Sequence, residues 1–381
     1  MTQPSARAEI VVDLAALRHN VRRLRELAAP ALMMTVVKAD GYGHGMVPVA
    51  RAAREAGADW LGVATIDEAV ALREAGDEGP LLCWLAVPGE EFAEALTRDI
   101  EVTAYSVDQL EEIAAAARGT GVLARVQLKV DTGLNRGGVA AQDWPAVIDA
   151  ALAHEAAGTM TVTGIWSHFA SSDEPGHPAN EAQEKAFAGA LDEASRAGLR
   201  PPLRHLANSA ATVLRPGSHY DLVRCGIASY GLDPAPGHTE GLGLVPAMTA
   251  RVRLVMVKPV AAGEGVSYGH TWIADHDTTV GLVPAGYGEG VPRHASNRAE
   301  VGVNGERHPI RGRVCMDQFV VDLGETTAVR AGDVAVLFGT GAEGEPTATD
   351  WAQACGTINY EIVTRIGGRF QRVVVDSEAD R

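Results

Sequence analysis

Short apolar runs alternate with amphipathic helical stretches from about residue 30 to about residue 226, and this rhythm limits the folds open to the chain. The runs begin near Met33, Trp60, Leu81, Glu101, Leu123, Thr161, Leu203 and Leu222. Most are apolar without strict alternation, as strands buried on both faces of a parallel sheet should be. Eight strand–helix repeats in about 220 residues fit a (β/α)8 barrel better than an open doubly wound sheet, which is the alternative.

Helix punctuation agrees with this reading. Asp13 can cap a helix running to Ala28, with Leu14, Leu17, Val21, Leu24 and Leu27 along one face. Thr65 to Glu68 and Ser106 to Gln109 read as capping boxes. Gly57, Gly76, Gly158 and Gly198 fall where helices end, a position that favours positive φ.

The pattern changes near Gly241. Arg251 to Val257 alternates at period two, which predicts a half-buried antiparallel strand. Asn304-Gly305 predicts a hairpin turn of the primed type. One helix is expected from Thr349 through Ile362, and a last strand from Phe370 to Val375. The fold class is therefore α/β: a (β/α)8 barrel over 13–239, then a mainly β domain over 240–381 joined by an N-terminal strand at 9–12. Ser171 to Pro178 is a polar loop after the sixth strand. No low-complexity linker separates the two domains, so a firm interface is expected.

Composition excludes several functions. A hydrophobic fraction of 46% with 22% charged residues is that of a soluble globular protein. A formal net charge of -16 leaves no basic stripe for nucleic acid. Met1 to Ala8 is polar without an apolar core, and no run of about eighteen apolar residues occurs, so neither a secretory signal nor a membrane span is expected. Cys83, Cys225, Cys315 and Cys355 are far apart and form no CxxC pair. They read as free thiols of a cytoplasmic protein, without disulfides or a metal site. The polar tail Asp376 to Arg381 is expected to fray.

Barrel enzymes place their chemistry at the C-terminal ends of the strands. The first strand ends in Val36-Val37-Lys38-Ala39-Asp40-Gly41-Tyr42-Gly43-His44-Gly45. Desolvation at such a strand end lowers a lysine's pKa and frees its amine for imine formation, although a lone strand-end lysine is more often a surface charge. GYGHG lacks the spacing of a dinucleotide loop. The fifth strand leads from Lys129 to Arg136, whose planar fork suits a carboxylate. His168 ends the sixth strand, His205, Asn208 and Ser209 follow the seventh, and Arg224, Gly226 and Ile227 end the eighth. Any one of these could be a structural hydrogen-bonding group; five polar strand ends together are harder to explain blandly. Ser209, Gly226 and Ile227 also fall where this architecture commonly builds a phosphate site.

The motifs VVKADGYGHG, KVDTGLNRGG, HLANSAATV, VRCGIASYG, VSYGHTW, GRVCMDQ and INYE resemble those of alanine racemases, in order, over about Ile10 to Val375. The resemblance implies a pyridoxal 5'-phosphate enzyme that interconverts L- and D-alanine with two bases and supplies D-alanine for peptidoglycan. It further implies a homodimer whose subunits share their active sites. Lys38 would hold the cofactor as a Schiff base and act as one base. Tyr268, arriving from the partner subunit, would be the base on the opposite face, linked through His168 to Arg224. Arg224 would face the pyridine nitrogen and, keeping its proton, would only donate a hydrogen bond there; a weaker electron sink favours racemisation over amino transfer.

By the same resemblance Tyr42, Ser209, Gly226, Ile227 and Tyr360 would hold the phosphate, with Asn208 also in the cofactor set. Arg136 and the Met316 backbone would meet the substrate carboxylate, with Asp317 beside them. Lys129 corresponds to a lysine often carbamylated against Arg136, an ordinary salt bridge being the alternative. Tyr287, Arg293 and Arg313 would line the entrance. The competing functions are a racemase of broader specificity (serine or larger amino acids), a non-catalytic pyridoxal-phosphate carrier and a metal-dependent barrel hydrolase. The residues near Tyr268, Met316 and Tyr360 are of the alanine type, the carrier would lack the C-terminal domain, and no HxH pair ends a strand.

Overall fold

A computed structural model of the chain describes residues 6–239 and 241–377. The polar N-terminus, where no secretory signal is expected, and the tail expected to fray lie largely outside these residues. Eight parallel strands form the first sheet: β2 (Leu32–Val36), β3 (Trp60–Val63), β4 (Leu81–Cys83), β5 (Glu101–Ala104), β6 (Ala124–Lys129), β7 (Met160–Trp166), β8 (Leu203–His205) and β9 (Leu222–Cys225). From β2 to β8 each strand pairs with the next, and β2 also pairs with β9. Backbone bonds from Asp221 N to Arg204 O (3.0 Å) and from Arg224 N to Ala207 O (3.0 Å) close the remaining gap. The result is the nearly closed barrel that the eight-fold rhythm predicts.

The local signals behave as physics requires. The first helix spans Leu14–Ala28, and the Asp13 carboxylate accepts from Ala15 N at 2.9 Å. Leu17, Val21 and Leu24 are fully buried, each contributing about 2 kcal/mol of burial energy. The Thr65 box is reciprocal. At Ser106 only half of the predicted box forms: the hydroxyl accepts from Gln109 N, but the Gln109 side chain caps the Tyr105 amide instead. The four predicted helix-end glycines all have positive φ, from 69° at Gly158 to 101° at Gly198.

A second, nine-stranded sheet holds β1 (Ala8–Asp13), β10 (Met248–Arg253), β11 (Met256–Val260), β14 (Thr278–Val283), β15 (Glu300–Val303), β16 (Glu306–Arg311), β17 (Phe319–Asp322), β18 (Val334–Phe338) and β19 (Gln371–Val375). A small hairpin, β12 (Gly265–Val266) and β13 (Trp272–Ile273), stands apart from it. β1 lies between β10, antiparallel, and β19, parallel. Asn304 (φ 51°) and Gly305 (φ 85°) make the primed turn joining β15 to β16.

Two expectations need correction. Arg251 to Val257 is not one strand, because the chain breaks at Leu254 and Val255 and continues as β11 on another partner. The helix expected from Thr349 to Ile362 is two, Ala348–Cys355 and Asn359–Arg365. Gly356 takes φ 66° and its amide turns back to the Ala352 and Gln353 carbonyls, ending the first helix.

The β-rich part clamps the end of the first barrel strand. A Cβ on Gly43 would lie 2.4 Å from the Val363 carbonyl oxygen, so only glycine fits there. Arg372 of β19 pairs with Asp40 at 2.7 Å and donates to the Gly43 carbonyl at 3.1 Å. All four cysteines are free, and no helix among the described residues is long and apolar enough to cross a membrane.

Candidate active site at the barrel mouth

Lys38 follows β2 directly, and the chain then makes a left-handed turn. Ala39, Asp40, Gly41 and Tyr42 have φ between 52° and 62°, a conformation that L-residues avoid as a run. The strain is held from outside. Glu68, the residue that completes the Thr65 capping box, also accepts from Ala39 N at 2.7 Å, while Asp40 accepts from Met46 N at 2.8 Å. His44 is fully buried, with Nδ1 3.0 Å from the Tyr42 carbonyl and 3.1 Å from that of Gly41. Burial lowers its pKa to about 4, so the ring is neutral.

The turn leaves Lys38 half-buried, its ammonium 5.9 Å from the centre of the Trp84 ring. Burial and then the charge of Arg136 lower its pKa, with Glu68 opposing. Both effects favour the free amine.

Arg224, on β9, is buried and surrounded by acceptors. It donates to His205 Nδ1 (2.9 Å), Ser167 O (2.8 Å), His205 O (3.2 Å), Leu206 O (3.2 Å) and His168 Nδ1 (3.2 Å). Its guanidinium also lies over Trp166, 4.8 Å from the ring centre. Burial pulls its pKa down to about 9, still above neutrality, so Arg224 remains a donor. His168 is held well below its ordinary pKa by burial and then by Arg224, and is a neutral acceptor.

Ser209, Gly226 and Ile227 form a buried cradle with Tyr42. The Ser209 hydroxyl accepts from Gly226 N at 2.8 Å. A Cβ on Gly226 would sit 2.3 Å from the Tyr42 hydroxyl, so the backbone there is open only because residue 226 is glycine. Tyr42 packs between Tyr230 (4.9 Å) and Tyr360 (6.2 Å), and burial raises the pKa of all three. Asn208 has a local task. Its side-chain oxygen caps Ala211 N at 3.0 Å and accepts from Ser172 Oγ at 2.8 Å.

Lys129 ends β6 with its ammonium 4.7 Å from the Trp166 ring centre and 5.6 Å from that of Tyr105. Burial, then Arg224 and Arg136, lower its pKa to about 8. The negative charge of Asp131 opposes this lowering.

Two clefts result. One, of about 330 Å³, opens at the barrel mouth and is lined by Arg136, His168, Asn208, Asp233, Ile358 and Tyr360, among others. The second, of about 240 Å³, lies on the β-rich part between Tyr268, Ser267, Cys315 and Phe319. Tyr268, 73% exposed, and Met316, 54% exposed, do not line the barrel cleft. The loop carrying Met316 is pinned: its carbonyl accepts from Gly288 N at 2.8 Å, and Asp317 pairs with Arg369 at 2.6 Å.

Sequence reasoning gave no role to Trp84, Trp166 or Tyr105, and to Glu68 only that of a helix cap, though all four shape the surroundings of the two lysines. It also passed over Glu101 and Gln127. The signal was there: Gln127 is a polar residue inside the buried strand ARVQLK.

A desolvated lysine at the C-terminal end of a (β/α)8 barrel strand, with a backbone cradle kept open by Gly226, defines an enzyme working through an amine. The comparisons name its kind. Residues 12–234 match the family model "Alanine racemase, N-terminal domain", and residues 247–374 match "Alanine racemase, C-terminal domain". The alanine racemase of Salinispora arenicola is 56% identical over 360 residues, covering 94% of this chain and 96% of the relative. The crystal structure of alanine racemase from D-cycloserine producing Streptomyces lavendulae superposes with a TM-score of 0.96 at 52% identity, covering 98% of each chain. That of Bartonella henselae, described with covalently bound pyridoxal phosphate, gives 0.88 at 27% identity, covering 97% of this chain and 100% of that one. The chain belongs to the alanine racemase family, and its activity is the interconversion of L-alanine and D-alanine.

Proposed function

We propose that the racemisation runs on pyridoxal 5'-phosphate held at the barrel mouth, with Lys38 and Tyr268 as bases on opposite faces of the substrate. The observation that carries this reading is the half-buried Lys38 amine, whose pKa is lowered beside a cradle that a Cβ at residue 226 would fill. Ser209, Gly226, Ile227, Tyr42 and Tyr360 would hold the phosphate, Arg224 would face the ring nitrogen, and Lys38 would bind the carbonyl carbon. When bound, the cofactor supplies an electron sink for the α-carbon as its proton leaves. Arg224 stays a guanidinium, so it donates a hydrogen bond toward the ring without giving up a proton.

Lys38 Nζ takes or returns the α-proton on its own face. Racemisation needs a second group opposite, because one base returns the proton to the side it left. Tyr268 Oη fills that role from the partner subunit of a homodimer. Two facts support a shared site: Tyr268 lines no part of its own barrel cleft, and it stands exposed with Ile273 and Met316 on the β-rich part. Arg136 and the Met316 amide bind the substrate carboxylate, with Asp317 beside them and Asn208 bordering the cofactor. Lys129, facing Arg136, Arg224 and Lys38 with only Asp131 to oppose them, is suited to carbamylation, which turns one of these crowded basic groups into an anion. The enzyme works in the cytoplasm and supplies D-alanine for peptidoglycan.

The test is exchange at the α-carbon. Loaded with pyridoxal phosphate in heavy water, the protein should form D-alanine from L-alanine with deuterium at the α-carbon; no exchange would end the reading. Lys38→Ala and Tyr268→Phe should each be inactive alone, while mixed dimers of the two regain activity, because one of their two sites is intact. If mixing restores nothing, the shared site is wrong.

A further inference from the structure

Behind Arg224, a line of buried polar side chains crosses the barrel interior toward its N-terminal end. Glu101 opens β5, Gln127 lies inside β6, and His205 ends β8. Glu101 Oε2 accepts from Gln127 Nε2 at 2.9 Å and from Thr163 Oγ1 at 2.6 Å, while Oε1 accepts from Arg125 Nε at 3.0 Å. Gln127 Oε1 lies 2.7 Å from His205 Nε2, and Arg224 Nη1 lies 2.9 Å from His205 Nδ1. Gln127 and His205 are wholly inaccessible to solvent.

The charged ends set the direction of every bond between them. A carboxylate has only acceptors, so Gln127 must turn its amide nitrogen to Glu101. Its carbonyl oxygen then faces His205, and His205 Nε2 must carry the proton. A neutral imidazole has one lone pair, which this leaves on Nδ1, where the donor-only guanidinium requires it. Burial holds His205 well below its ordinary pKa, so the ring is neutral.

The backbone is shaped for this line. The β6–β7 ladder shifts register between Val126 and Gln127, which sets Gly164 opposite Gln127. A Cβ on Gly164 would lie 3.0 Å from the Gln127 carboxamide, tighter than ordinary contact. Thr163, next to that glycine, supplies the hydroxyl bond to Glu101.

We propose that Glu101 and Gln127 are positioning residues for racemisation, holding His205 in its Nε2-protonated tautomer so that Arg224 is fixed as a donor at the barrel mouth. Neither touches the reacting atoms. The proposal rests on the reading of Arg224 as the residue that faces the cofactor ring.

The experiment is nitrogen NMR on the holoenzyme labelled with 15N-histidine, the His205 signals being assigned by their loss in His205→Asn. The native protein should show a protonated Nε2 and a bare Nδ1. Glu101→Gln replaces an acceptor-only group with one that can present either end. The tautomer is then held from the Arg224 side alone, so an Nδ1-protonated fraction should appear, and kcat should fall about tenfold while KM for alanine moves less than about twofold. Gln127→Met, which leaves the Arg125–Glu101 pair intact, should lower kcat similarly if Glu101→Gln does not fold. Thr163→Val removes one donor without reversing the line and should keep the native tautomer and kcat within about twofold. A proton on Nδ1 in the native protein overturns the proposal, as does a native kcat in both Glu101→Gln and Gln127→Met. Native kcat in Arg224→Lys, with the His205 tautomer unchanged, would instead overturn the reading of Arg224.

Discussion

Arg224 Nη2 lies 3.2 Å from His168 Nδ1, while Nη1 of the same guanidinium lies 2.9 Å from His205 Nδ1. One buried cation thus holds two neutral histidines as acceptors and spends further donors on three backbone carbonyls. Removing it would leave buried acceptors without partners, and each carries a desolvation penalty. Arg224→Met should therefore lower the stability of the protein by about 3 kcal/mol or more, measured by urea denaturation. A loss below about 1 kcal/mol would show that the guanidinium serves only the ligand.

At the cradle, Gly226→Ala brings a methyl against the Tyr42 hydroxyl, since an ideal Cβ lies 2.3 Å from it. The expected result is a loss of pyridoxal-phosphate affinity of about tenfold or more, read by cofactor fluorescence, with the fold retained. Unaltered affinity in Gly226→Ala would place the phosphate elsewhere.

Lys129 makes stability depend on alkaline pH. Its folded pKa of about 8 lies below the ordinary 10.5, so between those values the unfolded chain binds more protons than the folded one. Its contribution to stability therefore rises with pH across that window, by about 3 kcal/mol in all. In protein freed of bicarbonate, Lys129→Met should lack this rise relative to the native chain. Where bicarbonate is present, a 13C-labelled adduct should form on the native chain and not on the variant.

His44 acts at the acid end. Its folded pKa of about 4 lies below the ordinary 6.5, so the unfolded chain takes up a proton first as pH falls. Stability is then lost between pH 6.5 and 4, with His44 responsible for about 3 kcal/mol of the fall. His44→Gln should start lower, having given up bonds to the Gly41 and Tyr42 carbonyls, but should lose stability less steeply with acid. Identical acid limbs would mean that His44 does not titrate in this way.

Much of the barrel was legible because its signals are local. Strand starts from Trp60 to Leu222, the Asp13 cap, the helix-end glycines and the Asn304-Gly305 turn each depend on neighbours in sequence. The misread segments depend on distant ones. Arg251 to Val257 alternates well enough for one strand, but the break at Leu254 follows from pairing with β18 on one side and β14 on the other. The Gln109 side chain had two amides within reach, and the loop before Ser106 decided for Tyr105.

The sequence by itself determined the chemistry on offer: a lysine closing an apolar strand, glycines where a ligand or backbone comes close, and donor and acceptor groups at successive strand ends. Only the tertiary structure decided which groups would be neutral, charged or aimed. Lys38 and Lys129 have lowered pKa values because burial and arginines brought from other segments, Arg136 for Lys38 and Arg224 for Lys129, disfavour their charge. Likewise, Gln127 points its carbonyl at His205 because Glu101, 26 residues away in sequence, accepts the other end of its amide. Hydrogen-bond direction and desolvation are properties of surroundings, and the surroundings exist only once the barrel has closed.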